Sequence, residues 1–141
     1  MPDIWHKFTV KASPQKVFDA FSTEQGLNSW WTLKSSGHPT LHATYNFYFA
    51  PEYDWNARVI HVIPGKELTW KMTGAMEDWM ETEVGFRLLQ EDGHTSVLFF
   101  HKGWKEVSDH YAISNYCWAL LLNGLKQYVE KGIIIPFEKR S

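Results

Sequence analysis

Residues 109–132 read DHYAISNYCWALLLNGLKQYVEKG, and this stretch decides the fold. Apolar residues recur in it at intervals of three and four positions, which is the period of a helix. Ser108 is placed to cap the first turn, and Gly132 can end the helix in a left-handed conformation. The pattern predicts a helix over Asp109–Lys131, about 35 Å long at 1.5 Å per residue. Its apolar surface covers about half of the helix, which is more than a one-sided surface helix needs. Another element must therefore wrap around it.

The composition predicts one globular domain that spans residues 1–141. Hydrophobic residues make up 44% of the chain and charged residues 21%, which is ordinary for a soluble protein. The aromatic content is high, with 8 Trp, 9 Phe and 6 Tyr. Because aromatic side chains bury large areas, so many of them indicate either a bulky core or a cavity with aromatic walls.

Charge and cysteine content narrow the class of protein. A formal net charge of -2 gives no electrostatic reason to expect a nucleic acid or an anionic membrane as partner. The single cysteine, Cys117, lies on the apolar stripe of the helix, so we interpret it as a small buried hydrophobe. No stretch resembles a signal peptide or a bilayer-spanning segment. We expect a cytoplasmic protein.

Before the long helix, the chain alternates short helical signals with strands. Ser13 followed by Pro14 predicts a first short helix, and Thr23 caps a second over Glu24–Trp30. Period-two alternation, β-branched residues and the turn pairs Pro64-Gly65 and Asp92-Gly93 predict the strands. The predicted strands are Ile4–Lys11, Leu41–Ala50, Ala57–Ile63, Glu67–Met72, Thr82–Gln90 and Thr95–Lys102. This order predicts an α+β fold, in which a curved antiparallel sheet of about six or seven strands grips the C-terminal helix.

Four segments of this sequence resemble a known family. They read SPQKVFDAFSTEQGLNSWWT (13–32), ARVIHVIPGKELTWKM (57–72), VGFRLLQEDGHTSVLFFHKGW (84–104) and WALLLNGLKQYVEKG (118–132). In order and spacing they resemble the START-like (SRPBCC) superfamily with its helix-grip fold, and within it the homologues of the activator of heat shock protein 90 ATPase. The first strand is a weaker match. The resemblance implies a cavity between sheet and terminal helix that takes apolar or amphipathic small molecules.

A set of apolar and small residues is expected to converge on that cavity from the sheet and the helix. Ser114 and Gly124 would leave notches on the inward stripe of the helix, and aromatic residues would face them from the strands. The alternative is a packed core without a cavity. The candidate ligand-binding residues are Trp30, Phe47, Trp70, Met72, Phe86, Phe100, Ser114, Trp118, Leu121 and Gly124.

Polar residues near such a cavity are weaker candidates for ligand binding. The candidates are His101, Tyr116, Ser114, Arg58 and Arg87, and the two strand arginines have the chemistry to recognise a carboxylate. The seven histidines lack the spacing of a metal site, so we expect neither a metal nor another cofactor.

The acidic segment before the sixth strand has two interpretations. Glu77, Asp78, Glu81 and Glu83 surround Trp79 and Met80, and they form either a solvated loop or a lid over the cavity. The sequence shows no catalytic triad and no phosphate-binding loop. We therefore assign no catalytic residue, and His101 and Glu83 are the only acid–base candidates.

Our leading hypothesis is a small-molecule binding domain for an apolar or amphipathic ligand. One alternative is a protein-interaction module similar to a chaperone ATPase regulator. Another is an enzyme of the cyclase or dehydratase type that uses the same pocket. We expect no nucleic-acid or membrane partner, and either a monomer or a homodimer.

Overall fold

A computed structural model describes residues 1–140 of the chain, in which a seven-stranded sheet curls around one long helix. The strands are β1 (Ile4–Val10), β2 (Lys34–Ser36), β3 (Thr44–Ala50), β4 (Tyr53–Ile63), β5 (Glu67–Gly74), β6 (Glu83–Glu91) and β7 (His94–Lys102). The helices are α1 (Pro14–Ser22), α2 (Glu24–Trp30) and α3 (Asp109–Lys131), with single 3₁₀ turns at Glu77–Trp79 and Phe137–Lys139.

All neighbouring strands are antiparallel, in the order β1-β7-β6-β5-β4-β3-β2. Each pair from β2 to β7 is consecutive in sequence, and β1 closes the far edge against β7. This confirms the predicted α+β helix-grip fold. Two details differ from the sequence prediction. The short strand β2 was missed, and β4 begins at Tyr53 instead of Ala57, although Tyr53–Asn56 alternates between aromatic and polar residues and could have been included.

The predicted helix caps form. The Oγ of Ser108 accepts a hydrogen bond from the Tyr111 N–H at 3.1 Å, and Gly132 ends α3 with a φ of 69°. Ser13 and Thr23 cap α1 and α2 in the same way. These caps set where α3 begins and ends, and therefore which of its residues reach the concave face of the sheet.

The concave face of the sheet is filled by apolar side chains that meet α3. Trp118, Leu122 and Leu125 are buried on the inner side of the helix. On its outer side Ile113, Tyr116 and Leu120 are exposed. The apolar surface of α3 is thus split between core and solvent, and not all of it is wrapped by the sheet.

No helix within residues 1–140 is long and apolar enough to cross a membrane. Over the same residues, no group of three or more His, Cys, Asp or Glu side chains is arranged to hold a metal ion.

Candidate ligand-binding cleft

An open cleft of about 420 Å³ lies beside the first half of α3. The β3–β4 hairpin, the Glu77–Trp79 turn and the segment around Phe137 form its other walls. Its lining residues are Trp31, Phe49, Tyr53, Trp55, Trp79, His110, Ile113, Ser114, Cys117, Trp118, Leu121, Phe137, Glu138 and Arg140. A cleft of this size falls in the range of small-molecule sites, which is typically about 300–1,000 Å³.

Four tryptophans form a continuous aromatic wall in the cleft. The rings of Trp55 and Trp79 are 4.7 Å apart, those of Trp79 and Trp118 are 5.9 Å apart, and those of Trp31 and Trp118 are 5.1 Å apart. Trp79 and Trp118 lie nearly parallel, with an interplanar angle of 23°. Trp31, Trp79 and Trp118 are at most 5% exposed, so they form the buried backing of the wall. The half-buried Trp55 and the exposed Tyr53 offer the aromatic surface that an apolar or ring-containing ligand can contact.

Trp79 is held in this wall by contacts to α3 and to the sheet. Its indole N–H donates to the Oγ of Ser114 at 3.3 Å, and its ring packs edge-on against His101 at 4.5 Å. Only 5% of Trp79 is exposed. The segment that the sequence assigned to an acidic loop or lid therefore supplies a fixed wall of the cleft, while Glu77 and Glu81 remain exposed.

His101 lies behind this wall in a directed hydrogen-bond chain. The indole N–H of Trp118 donates to Nδ1 of His101, so the imidazole proton is on Nε2 and is donated to Thr82 Oγ1 at 2.9 Å. The hydroxyl of Thr82 then donates to the Trp79 carbonyl oxygen at 2.5 Å. Burial, aided by the nearby His110, lowers the pKa of His101 to about 3. A neutral histidine with both nitrogens engaged acts as a structural link and not as an acid–base group.

A few polar side chains line the cleft beside its aromatic rings. His110 lies 3.3 Å from Asp78 and ties the start of α3 to the Glu77–Trp79 turn. Burial raises the pKa of the Cys117 thiol, which keeps this group neutral and apolar in character. Glu138 is exposed, and Arg140 is buried against α2.

The ten predicted ligand-binding residues do not lie in one place. Ser114, Trp118 and Leu121 line the cleft. Trp30 and Gly124 instead border a void of about 10 Å³ next to Ile135, which is too small for a ligand. The expected notch at Gly124 is therefore filled by the C-terminal segment, and the notch at Ser114 is occupied by the Trp79 indole.

Four of the remaining residues belong to the packed core. Phe47, Trp70, Met72 and Phe86 have exposures of 1% or less and pack under α2 and α3. Phe86, for example, stacks on Phe21 at 4.0 Å. Over this part of the sheet the packed-core alternative describes the structure, because aromatic rings from the two short helices occupy the space.

Phe100 requires a correction, because it lies on the opposite face of the sheet from α3. Its neighbour Phe99 faces the helix, 4.5 Å from Trp118, so the alternation of a strand turns Phe100 outward. There its ring packs against Trp5 at 5.5 Å and under the ammonium of Lys102 at 4.5 Å. The sequence placed it inward because four consecutive apolar residues, Val97–Phe100, obscure the alternation.

Three of the five weaker polar candidates face solvent. Arg58, Arg87 and Tyr116 are exposed, and Arg87 lies 3.9 Å from Glu67 on the outer face. Glu83 pairs in register with Lys71 and Lys102, outside the cleft. Neither strand arginine reaches the cleft, and the arginine that does is Arg140.

Sequence reasoning missed most of the cleft lining. Phe49, Tyr53 and Trp55 lie on the β3–β4 hairpin, and their alternation with Phe47 would have indicated a longer aromatic ribbon. Phe137 and Arg140 follow the last helix in a segment without periodicity, so no local pattern identifies them.

Comparison with known proteins agrees with this architecture. The sequence profile of the family described as "Activator of Hsp90 ATPase homolog 1-like protein" matches residues 11–130. A comparison with curated proteins finds no match.

Several solved structures are similar to this chain. The solution structure of the Aha1 dimer from Colwellia psychrerythraea is 38% identical, with a TM-score of 0.85, over 94% of this chain and 98% of that chain. Protein SSP2350 from Staphylococcus saprophyticus is 19% identical, with a TM-score of 0.80, over 95% of this chain and 96% of that chain. CalU16 from Micromonospora echinospora is 18% identical, with a TM-score of 0.74, over 98% of this chain and 83% of that chain. The latter two likenesses show the fold alone. With a profile match over residues 11–130 and a closely similar Aha1 structure, the chain belongs to the activator of Hsp90 ATPase homolog 1-like family of the START-like superfamily.

Proposed function

We propose that this chain is a cytoplasmic small-molecule binding domain that holds an apolar or amphipathic ligand in the cleft beside α3. The observation that carries the proposal is the open cleft of about 420 Å³, in which the aromatic rings of Phe49, Tyr53, Trp55 and Phe137 remain at least partly exposed. Removing such surface from water contributes about 25 cal/mol per Å², partly offset by the lost mobility of the ligand. Micromolar dissociation constants are the expected order of magnitude.

The geometry favours this function over the two alternatives. Neither acid–base candidate from the sequence serves an enzyme in this cleft, because His101 is engaged at both nitrogens and Glu83 lies outside. Of the titratable groups that do line the cleft, His110 is paired with Asp78 and Glu138 is exposed to solvent. An interaction module anchored by Trp79 would need that ring in solvent, and it is only 5% exposed.

The test introduces a large side chain on the cleft side of α3, and the control introduces the same side chain on a side of α3 that does not line the cleft. Cys117 is half-buried in the cleft lining, whereas Ala119 is exposed. Cys117→Phe should abolish calorimetric binding of 1-naphthaleneacetate or 1-naphthaleneacetamide, because the new ring occupies the ligand space. Ala119→Phe should leave binding unchanged. Native mass spectrometry of freshly purified protein would reveal a co-purifying ligand. If the parent protein binds neither probe and carries no small molecule, the proposal is wrong.

We also propose that the chain forms a homodimer through the outer side of α3. The similar Aha1 structure from Colwellia psychrerythraea is of a dimer. On α3 the exposed residues Tyr116 and Leu120, which do not line the cleft, belong to the stretch 111–125, which contains no Asp, Glu, Lys or Arg. An exposed helix face without charges is typical of an interface.

Sedimentation of two charge variants tests the dimer. Leu120→Glu should yield monomers, because it places a charge in the proposed contact. Leu89→Glu, an equally apolar and exposed position at the end of β6, should not. A monomeric parent protein, or a dimer that survives Leu120→Glu, would contradict this interface.

A further inference from the structure

Arg140 places a positive charge at the wall of a largely apolar cleft. Its residue exposure is 9%, and it lines both the cleft and the small void beside Gly124. Arginine remains ionised in proteins, so this charge is present at all ordinary pH values. Burying a charge is costly unless the group is hydrogen-bonded and paired.

The guanidinium is hydrogen-bonded but has no carboxylate partner among residues 1–140. Its Nε donates to the carbonyl oxygen of Ile135 at 2.9 Å, Nη1 to that of Thr32 at 3.1 Å, and Nη2 to that of Asn28 at 2.9 Å. These three bonds use three of the five N–H donors of an arginine. No acidic side chain in the described residues lies within ion-pair distance of it.

The surroundings of Arg140 leave its charge only partly compensated. Burial lowers the pKa of Arg140, and the nearby carboxylate of Glu138 raises it. Glu138 is itself exposed at the cleft, so water screens its effect. The ring of Phe137, 5.7 Å from the guanidinium carbon, gives the remaining contact. An anion in the cleft would supply the missing partner.

We propose that Arg140 makes the cleft selective for ligands that carry a carboxylate on an apolar, ring-containing body. The inference rests on the proposed ligand-binding function and names the chemical class of the ligand. Arginine is suited to this role because its planar fork matches the two oxygens of a carboxylate. The more exposed aromatic rings of the cleft, Tyr53, Trp55 and Phe137, then receive the apolar body, while Glu138 disfavours ligands with several negative charges.

The experiment compares two probes of the same size and shape. At neutral pH 1-naphthaleneacetate is an anion and 1-naphthaleneacetamide is neutral, so their affinities differ only through the head group. In the parent protein we expect the acid to bind about tenfold more tightly than the amide, the scale of a charge-assisted hydrogen bond. Arg140→Gln should remove this preference. Arg140→Lys should retain part of it, and Glu138→Gln should increase it.

Two controls separate a selective role from a purely structural one. Arg87→Gln removes an exposed arginine from the outer face and should leave the preference unchanged. Binding of the amide by Arg140→Gln shows that the cleft of this variant is intact. If the parent binds acid and amide equally, the inference is wrong although the binding function stands. If it binds neither, the proposed function itself fails. A preference for the acid that persists in Arg140→Gln would also overturn the inference.

Discussion

The indole N–H of Trp118 donates to Nδ1 of His101 at 3.1 Å, across the boundary between helix and sheet. Because this bond requires an unprotonated Nδ1, it ties the position of α3 to the neutral form of the histidine. Through Thr82 the same imidazole is linked to the backbone of Trp79. The wall of the cleft therefore depends on His101 remaining neutral, and the pH dependence of stability can measure this.

Acidification should destabilise the protein through His101. The pKa of His101 is about 3 in the folded state against an ordinary 6.5, so the unfolded state binds one more proton between these values. Stability should fall as pH drops below about 6.5, by up to ~1.4 kcal/mol per pH unit from this group. Urea unfolding of His101→Gln should show a shallower loss between neutral and acidic pH. In the control His38→Gln, which changes an exposed histidine, the parent slope should persist. Equal slopes for parent and His101→Gln would contradict the linkage.

Trp118→Ala should cost about 3–5 kcal/mol of unfolding free energy, because removal of a fully buried ring leaves a cavity. Trp118 is 1% exposed, whereas Trp5 is 47% exposed on the outer face. Trp5→Ala is the matched control and should cost about 1 kcal/mol or less. Urea midpoints with a common m-value measure both. A Trp118→Ala protein as stable as the parent would refute the inward packing of α3.

Gly124→Ala should stabilise the protein by about 1 kcal/mol, because alanine is the better residue in the interior of a helix. An added Cβ would meet only Ile135, at 3.8 Å. The same substitution at Gly26 should instead destabilise by about 1–3 kcal/mol, since the new carbon would overlap backbone atoms of α1. Thermal unfolding of both variants tests the pair. If both variants change the stability in the same direction, the packing described around one of the two glycines is wrong.

Gly85→Ala should destabilise the protein, because a Cβ at this position would overlap the outward Phe100 ring. The cost should be about 1–3 kcal/mol. Combining it with Phe100→Leu, which removes the obstructing ring, should recover part of the loss relative to Phe100→Leu alone. This double-mutant cycle detects the contact directly. Additive effects would mean that the two residues do not touch.

The fold was predictable because its signals are local and repeated. The caps at Ser108 and Gly132, the turn pairs and the alternation of the strands each specify an element without reference to the rest of the chain. Their order then leaves few ways to cover one face of an antiparallel sheet. The short strand β2 was missed because three polar residues give no alternation.

The candidate site was less predictable because it depends on what fills the space under the helix. The alternation of the strands correctly predicts that Trp70 and Phe86 face inward. It does not indicate that Phe21 occupies the volume beside Phe86. The opening lies instead where the β3–β4 hairpin and the C-terminal segment leave α3 uncovered. Arg140 is held there by hydrogen bonds to Asn28 in α2 and to Thr32 just after it, which lie more than a hundred positions away in sequence.

The tryptophan wall also gives the protein a distinctive optical signature. Indole rings separated by 4.7 Å and 5.9 Å, as in Trp55–Trp79 and Trp79–Trp118, are close enough for their electronic transitions to couple. The folded chain should therefore show paired bands of opposite sign in its ultraviolet circular dichroism, which vanish on unfolding. A ligand that packs against Trp55 and shifts its ring relative to Trp79 would change these bands even if it absorbs no light itself. The same side chains that offer a surface for binding thus make occupancy visible without a label.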